Sequence, residues 1–312
     1  MTQQEIRKVA VIGTGVIGNG WITRFLANGY DVIAYDPADG AEKRTNETID
    51  NAWPSVTELG IAENAAKERI TFVPTFAEAV ADADLIQENV PERIDIKKSV
   101  LAQIDEHAKS DAIIASSTSG LKPTELQEDL KHPERLTVAH PFNPVYLLPL
   151  VELVGGEKTD IQAINRAYSF YESLQMKPMI IEKEIEGFIA DRLIEAIWRE
   201  ALHLVNDGIA TTEEVDKAIT YGAGLRWAQM GPFLTFHLAG GSEGMRHMLE
   251  QFGPALKLPW TKLEAPELTE ELKEKVISGC ETHAGERSVA ELERKRNDFL
   301  VKLIDLVDDY WP

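Results

Sequence analysis

One cysteine, Cys280, stands in a chain of 312 residues. An intrachain disulfide is therefore impossible, and a metal site built from cysteines is excluded with it. There is no apolar run of the roughly 18 to 20 residues needed to cross a bilayer. Residues 1–8 are polar and lead straight into a strand pattern, without the apolar core or cleavage site of a secretory leader. These absences predict a cytoplasmic protein, in which the sequon Asn46-Glu47-Thr48 goes unused. Basic residues are also scarce: 32 Lys and Arg face 52 Asp and Glu, a formal charge of −20. Such a chain repels nucleic acid and anionic membrane, and its field favours a cationic or zwitterionic small molecule over a polyanion.

What is present is ordinary for a folded chain, 44% hydrophobic and 27% charged residues, at a length that suits two domains. The first half alternates short β-branched runs (8–13, 31–36, 70–73, 84–88, 112–116, 136–140, 150–154, 178–182) with amphipathic stretches such as 17–28, 75–81, 94–109 and 160–174. Strands separated by helices of this length predict βαβ units and a mostly parallel sheet, with 150–154 added antiparallel at its edge. After about residue 184 only helical patterns remain: 188–206, 212–221, 243–252, 267–280 and 286–310. The expected fold is α/β, a Rossmann-type domain over 1–184 followed by an all-α domain over 185–312. Thr211 with Glu214 has the spacing of a capping box. In the last helix Val289, Leu292, Phe299, Leu303, Leu306 and Tyr310 form a stripe that must be covered, by the domain's own core or by another subunit.

The run Val9-Ala10-Val11-Ile12 enters Gly13-Thr14-Gly15-Val16-Ile17-Gly18 and then a helix. Gly13 allows the tight turn, Gly15 lets backbone approach a pyrophosphate, and Gly18 lets helix pack closely on strand. The helix start offers free amides to the phosphates. Asp36, at the end of the second strand about 20 residues further on, suits the adenosine ribose and repels a 2′-phosphate, so NAD is expected rather than NADP.

A second cluster follows: Ser119 after a strand, His140-Pro141-Phe142-Asn143-Pro144 at the end of the next, and Glu152 on the strand beyond. Ligands bind at the C-terminal ends of strands in open α/β sheets. Oxidising an alcohol by hydride transfer needs a base for the hydroxyl proton, and imidazole, which titrates near neutrality, suits it. A carboxylate partner would orient the ring, and a serine would hold the substrate oxygen. Taken singly, Ser119 reads equally as a helix cap, His140 as a core histidine and Glu152 as a surface charge.

Together with Gly187-Phe188-Ile189-Ala190-Asp191-Arg192, these residues resemble the 3-hydroxyacyl-CoA dehydrogenase superfamily, in order and spacing over nearly the whole chain. The resemblance implies a His140–Glu152 pair, a substrate-binding Ser119, cofactor contacts near Glu92 and Lys97, and a homodimer formed through the helical domain. Pro141, where the acyl-CoA enzymes usually carry an aromatic residue, is similar to the branch that acts on free hydroxy acids, gulonate and carnitine among them. The segments 222–228 and 258–263 and the helix opening Glu286-Arg287-Ser288 look most like the carnitine-acting members. The motif commonly has asparagine where this chain has Asp191, and a carboxylate there suits either a quaternary ammonium or a pairing with Arg192.

The resemblance thus implies that His140 takes the 3-hydroxyl proton of the substrate while hydride passes to NAD, with Ser119 and Asn143 beside the substrate. A quaternary ammonium is read by aromatic faces. Trp198, Trp227, Trp260 and Trp311, with Tyr221, Phe233 and Phe236, all lie in the helical half. Trp227 and Phe233 are the candidates for a cage, against the plainer reading of core aromatics. Arg192 and Arg226 are candidates for the substrate carboxylate. Three rivals stay open: a gulonate-type dehydrogenase, an acyl-CoA dehydrogenase, and a structural or NAD-sensing protein without chemistry.

Overall fold

The computed structural model describes residues 6–228, 230–240, 245–254, 258–262, 267, 269–272, 274, 286 and 289–310. The chain forms two compact units, Met1–Asp191 and Arg192–Pro312.

The first unit carries one eight-stranded sheet: β1 (Lys8–Ile12), β2 (Asp31–Tyr35), β3 (Ile70–Phe72), β4 (Leu85–Glu88), β5 (Ile113–Ser116), β6 (Leu136–Pro141), β7 (Leu150–Gly155) and β8 (Lys177–Ile181). Its spatial order is β3-β2-β1-β4-β5-β6-β7-β8. Strands β1 to β6 pair in parallel, β7 runs antiparallel to β6, and β8 returns parallel to β7. The chain therefore reverses direction across the sheet between β1 and β4, which opens a crevice at their C-terminal ends. Residues 150–154 do pair antiparallel, but not at the edge. β7 is buried along its middle, whereas β8 outside it is exposed or half-buried at every position but Ile181, as suits an edge strand.

The helices joining the strands are α1 (Val16–Ala27), α2 (Ala41–Leu59), α3 (Phe76–Val80), α4 (Ile94–His107), α5 (Pro123–Leu126) and α6 (Ile161–Ser173). They cover both faces, so alternate residues of one strand enter different cores. Val9 and Val11 pack with Trp21, Phe25 and Tyr171 on one face, while Ala10 and Ile12 pack with Leu101, Ile104 and Phe188 on the other. This two-sided burial is why the strands read as continuous apolar runs. The first core is anchored by aromatic contacts of Trp21 with Phe25 and Tyr171, at 5.4 and 5.2 Å between ring centres.

From residue 192 on, every regular element described is helical: the body of α7 (Ala190–Asn206), then α8 (Thr212–Ala218), α9 (Gly224–Trp227), α10 (Pro232–Ala239), α11 (Met245–Phe252) and α12 (Val289–Tyr310). The capping box forms: the Glu214 amide donates to the Thr211 hydroxyl, and the Thr211 amide donates to the Glu214 carboxylate. The helix then continues past residue 221 through a π turn, Ile219–Ala223, into α9. Of the stripe on α12, Phe299 and Leu306 are exposed, and among the described side chains of the helix Asn297 and Val301 are buried. A core role for those two stripe residues is thus overturned within the single chain. The side chains of Val289, Leu292 and Tyr310, most of the segment 267–280 with Cys280, and Trp311 lie outside the described residues.

Candidate active site

The turn between β1 and α1 is built to admit a dinucleotide. Gly13 has φ +86°, and a Cβ there would meet the Asn89 carbonyl oxygen at 2.8 Å. At Gly18 a Cβ would lie 2.0 Å from the Gly13 carbonyl oxygen, so only glycine lets α1 cross the turn this closely. α1 starts at Gly15 with no side-chain cap and no acidic residue in its first turn, which leaves its amides and dipole for phosphate. Val16, exposed, and Ile17 form that first turn. A cavity of about 630 Å³ runs from Gly13 and Gly15 past Asn89 and Val90 to Asp36 and Gln103. Asp36 also fixes the turn: its carboxylate accepts from the Thr14 amide at 2.7 Å, the Thr14 hydroxyl at 3.1 Å and the Ala38 amide at 2.9 Å. A carboxylate has about four acceptor sites, so room remains for a ribose hydroxyl.

The glycine geometry gives a direct test. Gly18→Ala must displace backbone, at about 1–3 kcal/mol. We expect NADH affinity, measured by fluorescence titration, to fall at least about tenfold. Unchanged affinity would show that the turn does not hold the pyrophosphate.

His140 lies near the end of β6 directly opposite Glu152 on β7. The antiparallel register brings the two side chains together, with Nδ1 2.8 Å from Glu152 Oε2 and the pair almost fully buried. A carboxylate can only accept, so Nδ1 carries the hydrogen and the neutral ring presents its lone pair at Nε2. The other oxygen, Glu152 Oε1, accepts from the backbone amides of Ile189 at 3.0 Å and Ala190 at 2.9 Å. Those amides open α7, so one carboxylate both orients the histidine and caps a helix. The chain reaches that position through two left-handed residues, Gly187 at φ +70° and Phe188 at φ +46°. The buried Phe188 ring stands 5.6 Å from the imidazole and the Phe142 ring 4.8 Å, between ring centres. Asp191, in the first turn of α7, places Oδ2 3.6 Å from Nε2.

Ser119 follows β5, the strand beside β6, and is exposed. Its loop is held by Glu92, whose Oε1 accepts from the Thr118 hydroxyl at 2.5 Å and the amides of Ser119 and Gly120 at 3.0 and 3.3 Å. Lys97 does not reach out as expected. It is buried, donates to Glu88 at 2.8 Å and to the Val90 carbonyl at 3.1 Å, and stands 3.4 Å from Glu92. Its ammonium is therefore committed to protein oxygens. Asn143 is exposed on the loop after β6. In the other unit Trp227 ends α9 at 39% exposure and Phe233 lies on α10 at 83%, so neither is a core aromatic. Arg192 and Arg226 lie on α7 and α9.

Three supports of this site have no sequence signature. Arg24 on α1, buried and pulled down to about 10 by desolvation, donates to the carbonyls of Val145, Leu148 and Leu174. It ties the loop after His140 to the dinucleotide helix. Ser117 accepts from Trp21 at 3.0 Å and Gln87 at 2.8 Å, and donates to Asn89 at 2.7 Å beside the cavity. Tyr171, its phenol pushed well up by burial, donates to Gln87. A motif search passes over each because their partners are far away in sequence. Only the Gly-Phe pair before Ile189 hints at the turn whose amides Glu152 caps.

A six-strand parallel succession with a phosphate turn at β1, and a buried His–Glu pair two strands beyond the crevice, is the equipment of an NAD-dependent dehydrogenase of hydroxy acids. Comparison with known proteins agrees. Residues 8–185 match the NAD binding domain of 3-hydroxyacyl-CoA dehydrogenase and residues 187–281 its C-terminal domain. The chain belongs to the 3-hydroxyacyl-CoA dehydrogenase family. It is 76% identical to the L-carnitine dehydrogenase of Oceanobacillus iheyensis, over 98% of this chain and 100% of that one. It is 64% identical to the L-carnitine dehydrogenase of Bacillus cereus, over 100% and 96%. Among solved structures, FHMPC 5-dehydrogenase, an NAD+ dependent dismutase, superposes with a TM-score of 0.81 at 28% identity, covering 97% of this chain and 99% of that one.

Proposed function

We propose that this chain oxidises the 3-hydroxyl of L-carnitine to 3-dehydrocarnitine with NAD, using His140 as the base. The substrate is carried by the 76% identity, across 98% of the chain, to a protein named for that activity. The chemistry rests on the His140–Glu152 pair. Gly13, Gly15, Val16, Ile17, Gly18 and Asp36 would hold NAD, which supplies the hydride acceptor when bound. The hydroxyl proton moves to Nε2 of His140 as the carbinol C–H bond gives up its hydride and the C–O bond becomes a carbonyl. Glu152 then offsets the positive charge gained by the ring. Ser119 donates to or accepts from the reacting oxygen. Glu92 and Lys97 serve by holding the Ser119 loop, and Asn143, Arg192, Trp227 and Phe233 contribute to the substrate side.

The Rossmann part, 1–184, carries the cofactor in this reading, and 185–312 the substrate contacts and the dimer contact. Exposed Leu193, Ile194 and Trp198 on α7, with Phe299 and Leu306 on α12, support a homodimer. Cytoplasmic placement fits the fact that no described helix is long and apolar enough to cross a membrane.

The test is NADH absorbance with NAD and, separately, L-carnitine, D-carnitine, L-gulonate and 3-hydroxybutyryl-CoA. Rapid turnover of L-carnitine is expected, with the sugar acid and the CoA ester near background. Preference for either of those would discard the substrate and keep the His140 chemistry. Sedimentation of the same preparation should return the mass of two chains, and a single-chain mass would remove the dimer.

A further inference from the structure

We infer that Asp191 is the specificity-determining residue that recognises the quaternary ammonium arm of the substrate and sets which way round the substrate lies. The inference rests on the carnitine reading above. Asp191 Oδ2 stands 3.6 Å from His140 Nε2, beyond hydrogen-bond reach, and its side chain is 30% exposed. Nε2 is the one ring atom left for the substrate, because Nδ1 is engaged by Glu152. The reacting hydroxyl must therefore sit against Nε2, with the Asp191 carboxylate beside it. In a 3-hydroxy-4-trimethylammonio acid the charged nitrogen is separated from the carbinol carbon by a single methylene. Hence whichever arm faces α7 lies within direct electrostatic range of Asp191. A carboxylate there attracts the cationic arm and repels the anionic one, so the ammonium turns toward α7 and the carboxylate away from it. A quaternary ammonium has no N–H to donate, so charge and apolar contact are all that a protein can offer it. Phe142, half-buried and packed on the His140 ring, supplies apolar surface in the same neighbourhood.

Asp191 also suits the positive end of α7. That role would affect stability and leave substrate preference unchanged, so the two are separable.

The experiment compares wild type, Asp191→Asn and Asp191→Glu in two readouts. One is kcat and KM for L-carnitine. The other is the inhibition constant, against L-carnitine, of 3-hydroxy-5,5-dimethylhexanoate, its carbon isostere with an uncharged arm in place of the ammonium. Asp191→Asn should raise KM for carnitine by about 10- to 100-fold, the lower range for removing one partner of a charge pair that is only partly buried. kcat should change much less, and the isostere should bind as well as before or better. Asp191→Glu, which keeps the charge, should recover part of the carnitine affinity. A parallel weakening of carnitine and isostere, or a fall in kcat with KM unchanged, would overturn the assignment and make Asp191 a support for His140. A wild type that does not oxidise L-carnitine at all would overturn the substrate reading and this inference with it, whereas normal wild-type turnover with an indifferent Asn variant removes the inference alone.

Discussion

His140→Ala lowers kcat by about 100- to 10,000-fold, the usual contribution of a positioned general base. The ring is buried, its Nδ1 is committed to Glu152, and Nε2 is left to accept a proton. Alanine removes the only imidazole on this part of β6 without touching the phosphate turn between β1 and α1, which lies across β4 and β5 from it. NADH affinity should therefore remain within about twofold of wild type. Stopped-flow absorbance with saturating L-carnitine measures the first quantity and fluorescence titration the second. Turnover within tenfold of wild type would show that another group takes the proton. A joint loss of turnover and cofactor binding would mean that the variant had disturbed the fold, and His140→Gln, which keeps bulk and hydrogen bonding, would then decide the matter.

Glu152→Ala should cost both activity and stability, and the two effects have different origins. The carboxylate is fully buried and accepts from three donors: His140 Nδ1 and the amides of Ile189 and Ala190. Alanine leaves all three without a partner inside the protein, which should destabilise it by about 3–5 kcal/mol and lower Tm by about 6–10 °C. Turnover should fall by about 100-fold or more, since the ring loses both its orientation and the charge that stabilises its protonated form. Glu152→Gln separates the contributions. Its amide oxygen still accepts from the α7 amides, so most stability returns, while its missing charge keeps turnover low. If Glu152→Gln turned over at the wild-type rate, Glu152 would be a helix cap and nothing more. If Glu152→Ala melted like wild type, the three hydrogen bonds would carry no net energy.

The phosphate turn and the strand succession were legible because each is a local pattern, and the His–Glu pair was legible through the resemblance. Gly13, Gly15 and Gly18 are legible since the geometry they serve is made within six residues. His140 and Glu152 face each other because an antiparallel return over a short loop leaves little choice of register. The resemblance placed Lys97 near the cofactor, whereas in the structure its ammonium is buried against Glu88 and Glu92. For the aromatic residues of the helical half the two readings could not be separated, because helical spacing says that Trp227 and Phe233 share a surface with neighbours but not whether that surface is covered.

The sequence by itself thus determined the architecture and the cofactor, which follow from periodicity and from glycine at positions where a Cβ has no room, while the chemical pair came from the resemblance that its residues carry. Tertiary structure alone decided that Glu152 caps α7 as well as orienting His140, that Arg24 and Ser117 brace the site, and that Asp191 stands beside Nε2. These depend on hydrogen bonds and charges between segments from about 30 to more than 100 residues apart. Such contacts exist only once both cores have packed, because a polar side chain shows its partner through position in space and not through spacing in sequence.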